Sequence, residues 1–180
     1  MVCAQEACWQ LRLDKVVLMP LGRASHRTID RDPGADVRYE LCEAAATGVE
    51  WLTASRVEVD RPGETYTVDT LAQLCRADPD AEHVFVLGAD QALRLQSWRE
   101  PGRVLELAQL AVAERAGIPG EDVLGVAAKV SGEGRVTMFS MPRVDVSSTE
   151  VRERVAAGRP YRFLVPERVA DRIDREGLYR

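Results

Sequence analysis

The hydrophobic pattern alternates between short apolar runs and amphipathic stretches along the whole chain. Ala4, Ala7, Cys8 and Leu11 fall on one face of a 3.6-residue period, which predicts a helix at the start. Val16 to Met19 is apolar on both faces and stops at Pro20, as a strand buried in a parallel sheet does. Leu21 to Pro33 is rich in Gly, Ser, His, Arg and Asp and reads as a functional loop. Val37, Leu41, Ala44 and Ala45 restore helical spacing. Trp51 to Val59 predicts a second strand, with Arg61-Pro62-Gly63 as a turn after it. Val68, Leu71, Ala72 and Cys75 then mark a helix. His83 to Leu87 is a third strand, ending in Gly88-Ala89-Asp90, and Pro101 suits the first turn of a further helix. Leu110 to Ala113 and Val136 to Met138 are the fourth and fifth strands. The small-residue stretch Gly117 to Gly134 supports only a short helix near Asp122 to Lys129. Helices over Ser148 to Ala157 and Pro166 to Glu176 close the chain, with Gly158 and Gly177 where C-caps belong.

Strand and helix alternate throughout, with no internal repeat, which predicts a doubly wound α/β parallel sheet. Such sheets bind ligands beyond the carboxyl ends of their strands. That rule places Pro20 to Arg27, Gly88 to Asp90 and the Arg115 loop around one crevice. At 180 residues and 46 % apolar residues, a single globular domain is expected. The net charge of −5 argues against broad nucleic-acid binding, though not against a local basic pocket for phosphates. No apolar run reaches the length of a membrane span, and the first nine residues do not read as a signal peptide. Cys3, Cys8, Cys42 and Cys75 form no CxxC pair and have only His26 and His83 as soft companions, so no metal site is expected. They read as free thiols in a reducing cytoplasm.

Four segments carry candidate chemistry. Ser147-Ser148-Thr149-Glu150 is a capping-box pattern, and it also brings hydroxyls and free backbone N–H groups together at a helix N-terminus, where phosphate is stabilised. Arg152, one turn on, adds a charge-assisted donor. Gly88 and Asp90 follow a buried strand: either Asp90 caps the next helix, or its carboxylate accepts from ribose hydroxyls. In Tyr66-Thr67-Val68-Asp69, Thr67 reads as an N-cap whose helix end also suits an anion. Trp98 is either a core-edge residue or an indole that stacks on a planar ring. His26 and Arg27 lie in the first loop. No Ser-His-Asp order, paired carboxylates or P-loop is present, so the residues alone define no catalytic set.

Taken together, the motifs resemble the bacterial nicotinate-mononucleotide adenylyltransferases. The resemblance runs from Val2 to Arg180. It rests on Asp14-Lys15-Val16, His26-Arg27, Asp36-x-Arg38, Ser55 to Glu58, Arg61 to Leu71, Gly88-Ala89-Asp90, Trp98, Val146-Ser147-Ser148-Thr149-x-x-Arg152, Phe163-Leu164-Val165-Pro166 and Gly177-Leu178-Tyr179. It implies a Rossmann-like nucleotidyltransferase fold and adenylyl transfer from ATP to nicotinate mononucleotide, with Mg²⁺ on the phosphates. Ser147, Ser148, Thr149, Arg152, Gly88 and Asp90 would then serve ATP. Tyr66, Thr67, Trp98, His26 and Arg115 would serve nicotinate mononucleotide. A homo-oligomer stays open, and the charge, cysteine and hydropathy readings above give the expectation of a cytoplasmic protein without nucleic acid or membrane as partner.

The family opens with a strand, Gly-Gly-Thr-Phe-Asp-Pro and His-x-Gly-His. Met1 falls where the residue after that motif would stand, and the sequence contains no His-x-Gly-His. The expectation is therefore a chain truncated relative to the family, without its first central strand and catalytic loop. Two other functions stay open. One is an adenylyltransferase for another acceptor, such as nicotinamide mononucleotide or pantetheine phosphate. The other is a nucleotide-binding remnant that does not turn over.

Overall fold

A computed structural model of the chain describes residues 1–23, 31–131 and 135–180. The elements in order are α1 (Val2–Gln10), β1 (Val16–Leu18), α2 (Ala35–Ala46), β2 (Leu52–Ala54), α3 (Thr67–Ala77), β3 (Val84–Gly88), α4 (Ala89–Ala92), α5 (Pro101–Leu107), β4 (Gln109–Ala113), α6 (Gly120–Ser131), β5 (Val136–Phe139), α7 (Ser148–Ala156) and α8 (Glu167–Glu176). Short 3₁₀ turns occupy Leu95–Ser97 and Arg162–Leu164. The strands are parallel, in the orders β1-β2 and β3-β4-β5. The expected parallel α/β class is what the chain forms.

The chain divides into two compact units. The first, Met1–Asp14 with Tyr66–Pro142, is built on the β3-β4-β5 sheet. Phe85 lies opposite Leu110 in register, and Leu110 opposite Val136. Successive strand side chains point to opposite faces, so β4 must be apolar at every inner position to be buried on both. It is: Leu110, Ala111, Val112 and Ala113 are all buried. Leu110 and Val112 join Leu87, Leu95, Val104, Leu105 and Val123 on one face, where α3, α5 and α6 pack. Ala111 and Ala113 meet Ala7 of α1 and Phe139 on the other face. Alanines at both Ala7 and Ala111 let the α1 backbone approach the sheet closely.

The second unit, Lys15–Thr65 with Arg143–Arg180, pairs β1 with β2 in the register Val16–Leu52, Val17–Thr53 and Leu18–Ala54. Its core gathers Val155 of α7 and Val169 and Ile173 of α8 with Leu41, Ala44 and Ala45 of α2. Arg172 of α8 pairs with Glu40 of α2. Arg38 of α2 ties down the chain around β1: its NH2 donates to the carbonyls of Leu21 at 2.6 Å and Gly22 at 2.7 Å, and its NH1 pairs with Asp32. Removing that guanidinium leaves two carbonyls without this donor and Asp32, which keeps the Gly34 N–H, without its cation. Arg38→Ala is expected to cost about 2–3 kcal/mol, read as a lower urea midpoint at unchanged m-value. Arg38→Lys recovers only part of it, because one ammonium replaces a planar fork.

Several expected boundaries move. The strand predicted over Trp51 to Val59 ends at Ala54, because Ser55 Oγ accepts from the Val57 N–H at 3.3 Å and Asp60 N donates to Arg56 O at 2.8 Å, which turns the chain. The β1 strand stops at Leu18, ahead of Pro20. The helix expected at Asp122 to Lys129 is longer, reaching Gly120 and Ser131. Thr67 is not an N-cap: Tyr66 holds that position without a side-chain bond, and Thr67 begins α3. Likewise Gly88, not Asp90, occupies the N-cap of α4. Gly177 is the left-handed C-cap of α8 at φ 62°, whereas Gly158, at φ 65°, follows the Ala157 C-cap of α7.

Candidate active site

In the first unit the expected residues fall into two groups, Asp90 with Arg115 beyond the ends of β3 and β4, and Tyr66, Thr67 and Trp98 around the start of α3. Gly88 closes β3 with extended φ and ψ, and the chain turns directly into the single turn of α4. That turn projects Asp90, whose Oδ1 lies 3.4 Å from NH1 of Arg115, just beyond β4. The two residues are 25 positions apart and are joined because β3 and β4 are parallel neighbours in the sheet. The second oxygen, Oδ2, accepts from Gln91 Nε2 at 3.2 Å. Asp90 is only half-buried, so hydroxyl donors can reach it.

Trp98 follows the 3₁₀ turn at Leu95–Ser97. Its ring meets Phe85 of β3 edge-on, with centroids 5.9 Å apart and planes at 87°. It is partly buried against the main core cluster, as is Tyr66 at the N-cap of α3. Trp98 is thus a core-edge residue by packing, with part of its indole left accessible. Beside it, Arg99 stacks over the Tyr66 ring with its guanidinium carbon 4.8 Å from the centroid. Its NH1 is 3.6 Å from Asp69 Oδ2, in the first turn of α3, and its Nε is 3.7 Å from Glu100 Oε1. The sequence treats Arg99 only as a polar neighbour of Trp98. Its place at the start of α3 comes from the path through β3 and α4, which no local pattern records.

In the second unit, Ser147 caps α7: its Oγ accepts from the Glu150 N–H at 3.1 Å. The capping box is half made. Glu150 does not return to Ser147, because its carboxylate accepts from Arg154 Nε at 3.1 Å and NH2 at 2.9 Å instead. Ser147, Ser148 and Thr149 are exposed. Arg152 NH2 donates to Thr149 Oγ1 at 3.2 Å. Thr149, Arg152, Glu153 and Arg31 line a cavity of about 290 Å³ on this helix. A neighbouring cavity of about 540 Å³ shares Arg31 and reaches Tyr179. Arg31, at φ 53°, donates from NH1 to the Tyr179 carbonyl at 3.0 Å. Burial pushes the Tyr179 phenol above its ordinary pKa, against the opposing pull of the Arg152 charge. Arg31 is a cationic wall residue that the sequence reading did not single out. His26, and Arg27 with it, lie outside the described residues.

Parallel strands alternating with helices, in both units, define an α/β protein of the Rossmann-like, nucleotide-binding class. The cytidylyltransferase-like family model matches residues 1–154. A protein of Thermomicrobium roseum named a probable nicotinate-nucleotide adenylyltransferase is 38 % identical over 172 residues, covering 95 % of this chain and 80 % of that protein. Proteins of the same name from Rubrobacter xylanophilus and Streptomyces coelicolor are 35 % and 36 % identical, over all of this chain and 85 % and 93 % of theirs. The chain belongs to the nicotinate-nucleotide adenylyltransferase family. In fold it is similar to a Plasmodium falciparum nicotinic acid mononucleotide adenylyltransferase solved with NaAD, with a TM-score of 0.68 at 14 % identity, covering 93 % of this chain and 83 % of that one. Among the described residues, no helix is long and apolar enough to cross a membrane.

Proposed function

We propose that the chain binds ATP and nicotinate mononucleotide and positions them for adenylyl transfer, the reaction of its family that gives the deamido dinucleotide and pyrophosphate. The observation that carries the reading most directly is the start of α7, where Ser147 caps the helix and Arg152 NH2 donates to Thr149 Oγ1; Thr149, Arg152 and Arg31 also line a cavity that runs along the helix past Glu153 to Ala157. A triphosphate needs such a wall: fixed cationic forks and free helix-end amides, which favour anions. The relatives' common name supports nicotinate mononucleotide as acceptor.

In the reaction, an oxygen of the acceptor's phosphate attacks the α-phosphorus of ATP. The new P–O bond forms as the bond to the β-phosphate's bridging oxygen breaks, and pyrophosphate leaves with that electron pair. The protein's share is positioning and charge stabilisation. Ser147, Ser148, Thr149 and Arg152 hold ATP phosphates. Asp90 takes ribose hydroxyls, and Gly88 lets the backbone come close. Trp98 stacks on the pyridine ring, while Tyr66 and Thr67 present the start of α3 to the nicotinate carboxylate. Arg115 holds Asp90 in place. Mg²⁺ would enter on the triphosphate and neutralise phosphate charge there, since it keeps several waters and binds mostly through phosphate oxygens.

Calorimetry with the intact chain tests the assignment. A non-hydrolysable ATP analogue and nicotinate mononucleotide are expected to bind, with nicotinamide mononucleotide and pantetheine phosphate weaker. Arg152→Ala is expected to weaken the ATP analogue about tenfold or more and leave nicotinate mononucleotide unchanged. Tighter binding of the amide or of pantetheine phosphate would move the chain to another acceptor class.

A further inference from the structure

We propose that Arg99 sets the preference of the acceptor site for an anionic pyridine-3-carboxylate over the neutral carboxamide. The inference rests on the acceptor reading above and assigns a role to a residue outside the expected set.

Three features of Arg99 carry it. First, the guanidinium is fixed in place. It lies over the Tyr66 ring at 4.8 Å, and Tyr66 is the N-cap residue of α3. A cation on an aromatic face is held by the ring quadrupole. Second, its polar contacts are loose. Asp69 at 3.6 Å and Glu100 at 3.7 Å lie beyond hydrogen-bond distance, so two carboxylates share one guanidinium while its N–H fork stays open for a further acceptor. Third, the guanidinium sits at the start of α3, over Tyr66 and beside Asp69, which is the end the acceptor reading gives to the nicotinate carboxylate, and Arg99 follows Trp98 in the chain.

The electrostatics give the sign. Asp69 is a carboxylate in the first turn of α3, where a ligand carboxylate would come to rest. Without a cation beside it, Asp69 repels the acid and is indifferent to the amide. Arg99 does two things at once: it offsets part of the negative charge of Asp69 and Glu100, and it offers donors that a carboxylate accepts at both oxygens and a carboxamide at only one. Discrimination between the two ligands therefore lies in a charge pair beside the helix end, as well as in the helix end itself.

The test is calorimetric titration of the full chain with nicotinate mononucleotide and, separately, nicotinamide mononucleotide. In Arg99→Gln the acid is expected to weaken about tenfold relative to the amide. In the double variant Arg99→Gln/Asp69→Asn, part of that loss returns, because the repelling carboxylate is gone. Arg99→Lys keeps the charge but loses the fork, and retains only part of the preference. A purely structural role for Arg99 predicts that both ligands weaken together, and that result overturns the inference. So does an unchanged acid-to-amide ratio. If the unsubstituted chain binds neither nucleotide, the acceptor reading fails and takes this inference with it. Binding of both with an unmoved ratio leaves the acceptor reading standing and removes Arg99 alone.

Discussion

The 180-residue chain is expected to bind ATP and nicotinate mononucleotide yet release pyrophosphate at a rate near background. The same chain lengthened upstream by a strand, Gly-Gly-Thr-Phe-Asp-Pro and His-x-Gly-His is expected to turn over at least about a hundredfold faster. The reasoning is chemical. As the bond from the α-phosphorus to the bridging oxygen breaks, negative charge builds on the leaving pyrophosphate, and donors placed at that charge are worth more than donors to the ground state. Arg152 and the hydroxyls of α7 hold phosphate in both states. The sequence has two histidines, His26 and His83, and no His-x-Gly-His. His83 immediately precedes β3, with its Nε2 buried and unpartnered, which suits it to no phosphate. A continuous pyrophosphate assay on both forms reads the difference. Equal rates would mean that the residues described above suffice and that transition-state stabilisation comes from α7 and Arg31.

Gly22→Ala is expected to cost about 3 kcal/mol or more, a large share of a typical stability of about 5–15 kcal/mol. A methyl group built on Gly22 runs into the carbonyl oxygen of Glu58, closer than any real contact, and lies 3.5 Å from Thr65 Oγ1. Glu58 and Thr65 are both buried, so the obstacle is packed backbone, with no flexible side chain to swing aside. The same segment is pinned from the other side by Arg38, which holds the Gly22 carbonyl at 2.7 Å, and Thr65 N donates to Arg23 O at 3.2 Å. Squeezed between these contacts, the chain cannot shift without breaking one of them. Chemical denaturation of the variant should show the loss as a lower midpoint. A loss below about 0.5 kcal/mol, the scale of a neutral surface change, would mean that the close approach relaxes freely. Here glycine is required for space: its φ is not among the positive ones, unlike those of Gly34 or Gly177.

The sequence by itself determined the class of the fold and most of its pieces. Strands β3 and β4 and the helices α3, α7 and α8 are legible because burial imposes a period on side chains: β4 is apolar at four consecutive positions since both faces are covered, and α8 repeats Val169, Ala170 and Ile173 on its inner stripe. The cap at Ser147 is equally local and was readable, since a hydroxyl and the amide three residues on lie within one turn. Where a competing local interaction lay outside the hydrophobic pattern, the reading slipped. Nothing in the apolar positions of Trp51 to Val59 announces the turn that Ser55 and Arg56 impose after Ala54. Only the tertiary structure decided which charges meet. Asp90 and Arg115 are brought together by parallel strand pairing, Arg99 and Asp69 by the return of the chain through β3, and Arg31 and the Tyr179 carbonyl by the packing of the second unit. Such contacts join residues 25 to 148 positions apart. They leave no periodic trace, because a single ion pair or hydrogen bond constrains two side chains and nothing between them.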